Sequence, residues 1–329
     1  MSTRLNRDFE LLPRSEPAIR IRDLNVSYSM GDHVMVPACR DIQFDVAAEE
    51  SIGLLGESGA GKSTIAYAIM GLIEAPNKVT GEITCWGKDV LKMTQEQLRR
   101  FRWNEVAMVF QAAMNSLDPV VTVGQNMEEL ILDKGVVRVK AEARELSLKL
   151  LRTMDLSEEV YRLHPFELSG GMKQRVIIAM ALVTNPKILI LDEPTTALDT
   201  ITQFSVLSAI KSLKKEGRIG GTILISHDIS VHAFMVDRVL ILLKGLIVED
   251  AAVKDIVEGP KHPYTQVLSG LLKLDPSKRP ATGSGTSLPK NECPFTSTCP
   301  YVMPKCRENI PPLVTVKKGH RVACYLYGE

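Results

Sequence analysis

The sequence predicts an α/β fold with a mainly parallel sheet, and three observations carry that prediction. SIGLLG (51–56), EVAMVF (105–110), ILILD (188–192), TILIS (222–226) and VLILL (239–243) are short continuous apolar runs. Strands buried on both faces of a sheet have this pattern. Helical periodicities lie between them, over 139–154, 171–183 and 202–215, and alternation of the two builds parallel strand–helix units. A glycine-rich loop joins the first run to a helical stretch, which is where such a fold holds an anion.

Taken in chain order, Ile19, Ile21, Leu24 and Val26, then Ile42, Phe44 and Val46, recur mostly at period two among polar neighbours. That spacing predicts antiparallel strands with one wet face. SIGLLG leads into GESGAGKST (56–64), and IAYAIMGLI follows as a helix. Leu146, Leu150 and Met154 form one stripe of the helix over 139–154. VLILL pairs with LIVED (246–250) through a turn at Lys244 and Gly245. After residue 260 the texture changes: DPSKRPATGSGTSLP (275–289) is a linker rich in Pro, Gly, Ser and Thr. Four cysteines crowd the last 39 residues, and no internal repeat is present. The expected plan is an N-terminal extension (1–15), a main domain (16–258), a helical extension with linker (259–290) and a Cys-rich C-terminal domain (291–329).

Composition narrows the function classes. The chain has 329 residues, 45% hydrophobic and 24% charged, with a net charge of +1. Those are the proportions of a soluble globular protein, and no basic field points to nucleic acid. The start, MSTRLNRDFELLPRSE, lacks the apolar run of a secretory signal. No segment reaches the ~18 apolar residues that a membrane span requires. A cytosolic protein is expected, with any membrane role exercised through a partner.

GESGAGKST matches G-x-x-x-x-G-K-[ST] between a strand and a helix, the context the motif requires. Gly56, Gly59 and Gly61 let the backbone curl with its N–H groups inward, around phosphate oxygens. Ser58 and Thr64 belong to the same loop. Lys62 would reach the β- and γ-phosphates, and the Ser63 hydroxyl would ligate Mg²⁺. ILILDEPTTALD (188–199) is the second piece. Asp192 and Glu193 emerge at the carboxyl end of a buried strand, where open α/β sheets bind ligands. Asp192 is placed to hold Mg²⁺ and Glu193 to polarise an attacking water. Standing alone, such a pair would be a helix-capping or solvated pair.

LSGGMKQR (168–175) narrows the class further. With the two motifs above, this stretch resembles the nucleotide-binding subunit of an ABC transporter, over about residues 19–260. The resemblance implies a P-loop NTPase (ABC ATPase) core with an antiparallel β subdomain and a helical signature subdomain. It also implies roles. Tyr28 would stack on adenine, Gln111 would sense Mg²⁺ and the γ-phosphate, and His227 would be the switch histidine. Ser169, Gly170 and Gly171 would cap the γ-phosphate bound by an opposite subunit, and Asp199 would cross the dimer interface. Read without the resemblance, Ser169 is an ordinary helix N-cap, His227 a core or capping histidine and Tyr28 a packed strand end. Met172 stands where the family often has glutamine, beyond the phosphate-contacting backbone. Every catalytic position is filled, so ATP hydrolysis is expected.

One loop, one signature and no membrane span imply a cassette that needs partners. QAAMNSLDPVVTVG (111–124) and GPKHPYTQVLSGLL (259–272) resemble the dipeptide/oligopeptide/nickel importers. The resemblance implies a second, related ATPase subunit forming a heterodimer, two transmembrane permease subunits and an extracytoplasmic substrate-binding protein. The place of work would be the cytoplasmic face of the cell membrane. The cargo would be peptide, with oligosaccharide or nickel as alternatives. A soluble ABC ATPase acting on DNA or ribosomes is the reading from a different class. The balanced charge and the lack of room for a long insert after Lys62 count against it.

Cys293, Cys299, Cys306 and Cys324 are spaced C-x₅-C-x₆-C-x₁₇-C. A cytosolic setting disfavours disulfides. Zinc sites usually show C-x₂₋₄-C pairs, whereas iron–sulfur ligands are spaced more variably. The tail resembles the cysteine motif of some peptide-importer ATPases, which implies a 4Fe-4S cluster; zinc and unligated or disulfide-bonded thiols stay open. Cys39 and Cys85 read as buried thiols.

Overall fold

The computed structural model describes residues 17–31, 34–111, 113–196, 198–272 and 291–328. The expected extension over 1–15 and the linker over 275–289 lie outside the described residues. In chain order the first half holds β1 (Ile19–Ser29), β2 (Met35–Val46), β3 (Ser51–Leu55), α1 (Lys62–Ile69), β4 (Lys78–Cys85), β5 (Lys88–Asp89), α2 (Gln95–Asn104), β6 (Val106–Val109), α3 (Val123–Asp133) and α4 (Lys140–Thr153). The second half holds α5 (Gly170–Ala181), β7 (Ile188–Asp192), α6 (Thr200–Lys215), β8 (Gly221–Ser226), α7 (Ile229–Met235), β9 (Arg238–Leu243), β10 (Leu246–Ala252), α8 (Val253–Glu258), α9 (Pro263–Leu268), α10 (Pro304–Glu308), β11 (Val314–Lys317) and β12 (His320–Val322).

Two sheets organise these elements. The antiparallel sheet has the order β2-β1-β4-β5, and the larger one runs β11-β12-β10-β9-β3-β8-β7-β6. β6, β7, β8, β3 and β9 are parallel, as the continuous apolar runs predict. Alternate residues of these strands supply two separate cores. Ile52, Leu54, Ile190, Ile223, Ile225 and Leu240 face the antiparallel sheet and α1. Leu189, Leu191, Leu224, Val239 and Ile241 face the helices on the other side. Both faces being dry, no polar alternation survives in the sequence. β9 and β10 form the expected hairpin, with Lys244 and Gly245 at φ of 44° and 75°, the pair of positive φ values that matches strand twist.

A 3₁₀ turn at Ala113–Ser116 follows Gln111, and Thr122 caps α3 in a capping box with Gln125. One expectation changes. The Cys-rich tail is not a detached lobe. β12 pairs with β10 and β11 with β12, so the tail supplies the last two strands of the large sheet. Cys293, Phe295 and Cys306 join the core that contains the central strands. A segment of this length buries too little surface to hold a core alone, so it borrows one. Among the described residues no helix is long and apolar enough to cross a membrane.

Candidate functional site

The phosphate loop grows from the end of β3. Gly56 lies so close to the Leu242 carbonyl oxygen that a Cβ would run into it. Gly61 turns the chain into α1 with φ of 96°, and a Cβ there would lie 2.8 Å from the Ala38 carbonyl oxygen. The Lys62 ammonium, 7% exposed, donates to the carbonyls of Gly56 (2.8 Å) and Glu57 (2.9 Å). Burial pulls its pKa down, against the pull of Glu193, Asp192 and Glu57.

β7 brings the carboxylates to this loop. Asp192 is fully buried; its Oδ1 accepts a hydrogen bond from the Ser63 hydroxyl at 3.1 Å, and its Oδ2 has no hydrogen-bond partner. Burial raises the Asp192 pKa, while the Ser63 hydrogen bond and Lys62 oppose the rise. An orphaned buried carboxylate oxygen beside a hydroxyl is a donor set that fits Mg²⁺, which favours such hard oxygen ligands. Glu193 leaves the strand with φ of 48°, a left-handed conformation, while its N–H donates to the Ile225 carbonyl at 3.0 Å. Its carboxylate lies 3.0 Å from His227 Nδ1 and accepts from the Thr196 hydroxyl at 2.9 Å. The Glu193 side chain is 13% exposed and that of His227 66%, so an acid–base group and an open imidazole share one rim.

Most of the residues singled out by sequence share one cleft. Tyr28, Ser58, Gly59, Gly61, Lys62, Ser63, Thr64, Gln111, Asp192, Glu193 and His227 line a cavity of about 780 Å³. Gly56 lies behind it as an acceptor for Lys62. The Tyr28 hydroxyl donates to Thr64 Oγ1 at 3.4 Å. Met30, Val36, Pro37, Ala38, Glu57, Thr196 and Ile225 complete the lining without having been picked out. Pro37 and Ala38 contribute from β2, a tertiary proximity that no motif encodes.

Ser169, Gly170, Gly171 and Asp199 are not brought into that cleft. Ser169 caps α5, accepting from the Met172 N–H at 3.3 Å, and Asp199 caps α6, accepting from the Thr202 N–H at 3.0 Å. A Cβ on Gly171 would run into Thr202, so the two helix starts lie against each other. Ser169 and Gly170 stay exposed at the surface. Within one chain these residues make a solvent-facing pair of helix N-termini, an anion-attracting surface.

The four tail cysteines line one small cavity with His262, Pro263 and Phe295. None is disulfide-bonded, and the Cys293 N–H donates to the Cys306 carbonyl at 2.8 Å. Burial pushes the Cys293 thiol up to about 12 and Cys324 to about 11. Among the described residues no group of three or more His, Cys, Asp or Glu is arranged to hold a metal ion. The all-thiol donor set matches cluster chemistry in kind. Cys39 and Cys85 are buried elsewhere, as expected.

Comparison with known proteins agrees with this geometry. A model of the ABC transporter family matches residues 39–196, and one of the oligopeptide/dipeptide transporter C-terminal region matches residues 248–306. A probable peptide ABC transporter ATP-binding protein, y4tR of Sinorhizobium fredii, is 37% identical over 96% of this chain and 97% of its own. The oligopeptide transport ATP-binding protein AppD of Bacillus subtilis is 39% identical over 89% of this chain and 92% of its own. OppD of Salmonella typhimurium, also an oligopeptide transport ATP-binding protein, is 37% identical over 93% of each chain. Among solved structures, the dimeric post-hydrolysis state of the cassette MJ0796 bound to ADP and Pi has a TM-score of 0.63 at 28% identity, covering 71% of this chain and 98% of that one.

Proposed function

The chain belongs to the ABC transporter family, in its oligopeptide/dipeptide branch, and from that premise we propose that it is the ATP-hydrolysing subunit powering a peptide importer. One observation carries the reading. The phosphate loop, the buried Asp192 and the Glu193–His227 pair converge on one cleft, while Ser169 and Gly170 face outward. Half of the nucleotide's surroundings lie on this chain, and the other half must come from a second subunit.

In this reading the loop N–H groups and Lys62 bind the phosphates, and Tyr28 stacks on adenine. Ser63, Asp192 and Gln111 hold Mg²⁺, which would neutralise phosphate charge when bound. The Glu193 carboxylate takes a proton from the water that attacks the γ-phosphorus, giving ADP and phosphate. His227, hydrogen-bonded to Glu193, orients the carboxylate. Ser169, Gly170 and Gly171 cap the γ-phosphate on the partner subunit, and Asp199 sits at the same interface. ATP favours the closed dimer and so shifts its population, and hydrolysis removes that bias.

The partners are a related ATPase subunit forming a heterodimer, two transmembrane permeases and an extracytoplasmic substrate-binding protein, at the cytoplasmic face of the membrane. Peptide is favoured over oligosaccharide or nickel as cargo by the names that the relatives carry. Cys293, Cys299, Cys306 and Cys324 hold a 4Fe-4S cluster with a structural role; the convergence of four unpaired thiols on one cavity supports it. Iron and sulfide analysis of anaerobically purified chain tests that assignment, and iron-free protein with stoichiometric zinc would overturn it. For the ATP site, Glu193→Gln is expected to leave MgATP binding intact and to lower turnover by about 10²–10⁴-fold. Undiminished turnover would refute the role given to Glu193.

A further inference from the structure

A contact behind the phosphate loop belongs to none of the chemistry above. Tyr264 lies in the first turn of α9 and is 2% exposed. Its hydroxyl accepts a hydrogen bond from the Glu57 N–H at 3.1 Å. Glu57 is the second residue of the loop, and its carbonyl is held from the cleft side by Lys62, as is that of Gly56. The corner where β3 becomes the loop is thus gripped from both sides. Lys62 lines the cleft that phosphate would enter, whereas Tyr264 does not.

The tyrosine is itself held by the tail and the core. Its N–H donates to His262 Nδ1 at 3.1 Å. The Lys261 and His262 N–H groups donate to the buried Glu249 at 2.6 and 3.0 Å. Glu249 is paired with His320 of β12 at 2.7 Å. The Tyr264 ring meets Phe295 edge-on, with centroids 5.6 Å apart and planes at 62°. Phe295 follows Cys293 by two residues and lines the cysteine cavity together with His262. One ring therefore touches the phosphate loop through its hydroxyl and the cysteine segment through its edge.

We propose that Tyr264 is a positioning residue that sets the phosphate loop for nucleotide, and that the cysteine-bearing tail acts on the ATP site through Phe295 and this tyrosine. The inference rests on the loop binding MgATP as proposed above. Phosphate binding by backbone N–H groups depends on those groups being aimed before the anion arrives. When a loop is competent only part of the time, apparent affinity falls by the competent fraction. Once phosphate is bound, its own contacts hold the loop. Loss of the tyrosine hydroxyl therefore raises KM and spares kcat.

The test uses the full-length chain, MgATP as the probe, and the assembled transporter for turnover. Tyr264→Phe keeps the ring and its packing on Phe295. It is expected to weaken MgATP binding about three- to tenfold, the effect of one lost hydrogen bond, with kcat within about twofold. Phe295→Leu is expected to shift the affinity in the same direction, with no further shift in the Tyr264→Phe background. An unchanged MgATP affinity in Tyr264→Phe overturns the proposal, whether or not the melting temperature falls. An additive effect of Phe295→Leu in the double variant overturns the link to the tail. A wild-type chain that binds no MgATP overturns the proposed function itself, and this inference with it.

Discussion

Replacing Gly53 with alanine drives a methyl group into His232. Gly53 is the middle residue of β3, paired with Leu224 of β8 on one side and Val239 of β9 on the other. A Cβ built there strikes His232 Nδ1 and lies 2.8 Å from Cε1. The imidazole is fully buried, its Nε2 donates to the Ser226 carbonyl at 3.2 Å, and Nδ1 has no partner. Making room for the methyl means giving up that hydrogen bond or shifting a central strand. Overpacking costs about 1–3 kcal/mol and the lost hydrogen bond about 1 more. For a chain of 329 residues that is a fall in melting temperature on the order of 3–6 °C. Ser226 precedes His227, so ATP turnover should fall as well. Thermal and denaturant unfolding of the full chain measure the stability term. The decisive arm is a double-mutant cycle: in a His232→Ala background the clash is gone, and Gly53→Ala should cost less than about 0.5 kcal/mol. An equal cost in both backgrounds would refute the steric reasoning.

Two further outcomes follow from buried polar groups. Burial lowers the pKa of His232 to about 4 and of His262 to about 3, against about 6.5 in an unfolded chain. The unfolded state therefore binds protons first, so stability is complete above pH 6.5. It is lost as pH falls toward those values, at up to about 1.4 kcal/mol per unit for each histidine. Denaturant unfolding at pH 7 and pH 5 should show the loss, and His232→Gln should remove its share; equal stability at both pH values would contradict it. Glu249→Ala strips the acceptor from the N–H groups of Lys261 and His262 and from the ring of His320. Leaving these donors without an acceptor costs about 1–3 kcal/mol each, and limited proteolysis should then release the tail; a total loss under about 1 kcal/mol would show that the contact is dispensable.

The central strands and the loop were legible because each is dictated locally. An apolar run such as ILILD (188–192) has nowhere to go but a dry sheet, and GESGAGKST fixes its own backbone. The turn at Lys244 and Gly245 was legible for the same reason. The sequence was weaker where structure is borrowed from distant parts of the chain. VTVK (314–317) is four residues long and half exposed, too short for its alternation to announce the edge of a sheet begun 260 residues earlier. β4, with Gly81 breaking its pattern, gave no continuous signal either. In the cleft, Asp192 and Glu193 carried a motif, whereas Tyr264 carried none that pointed to a phosphate loop. Its importance depends on a fold that brings Glu57 and residue 264 together. Ser169 and Asp199 show the reverse limit, since in one chain their observed hydrogen bonds are those of ordinary caps.

The central claim is that this cleft turns over ATP to drive peptide across a membrane, and ATP-dependent uptake tests it most directly. Vesicles carrying the assembled transporter, its binding protein and a labelled oligopeptide would be loaded with MgATP on the side of this subunit. Wild-type chain is expected to support uptake that stops when Glu193→Gln replaces it, while MgATP still binds. Uptake that proceeds undiminished with the Glu193→Gln chain, or without ATP, would contradict the account.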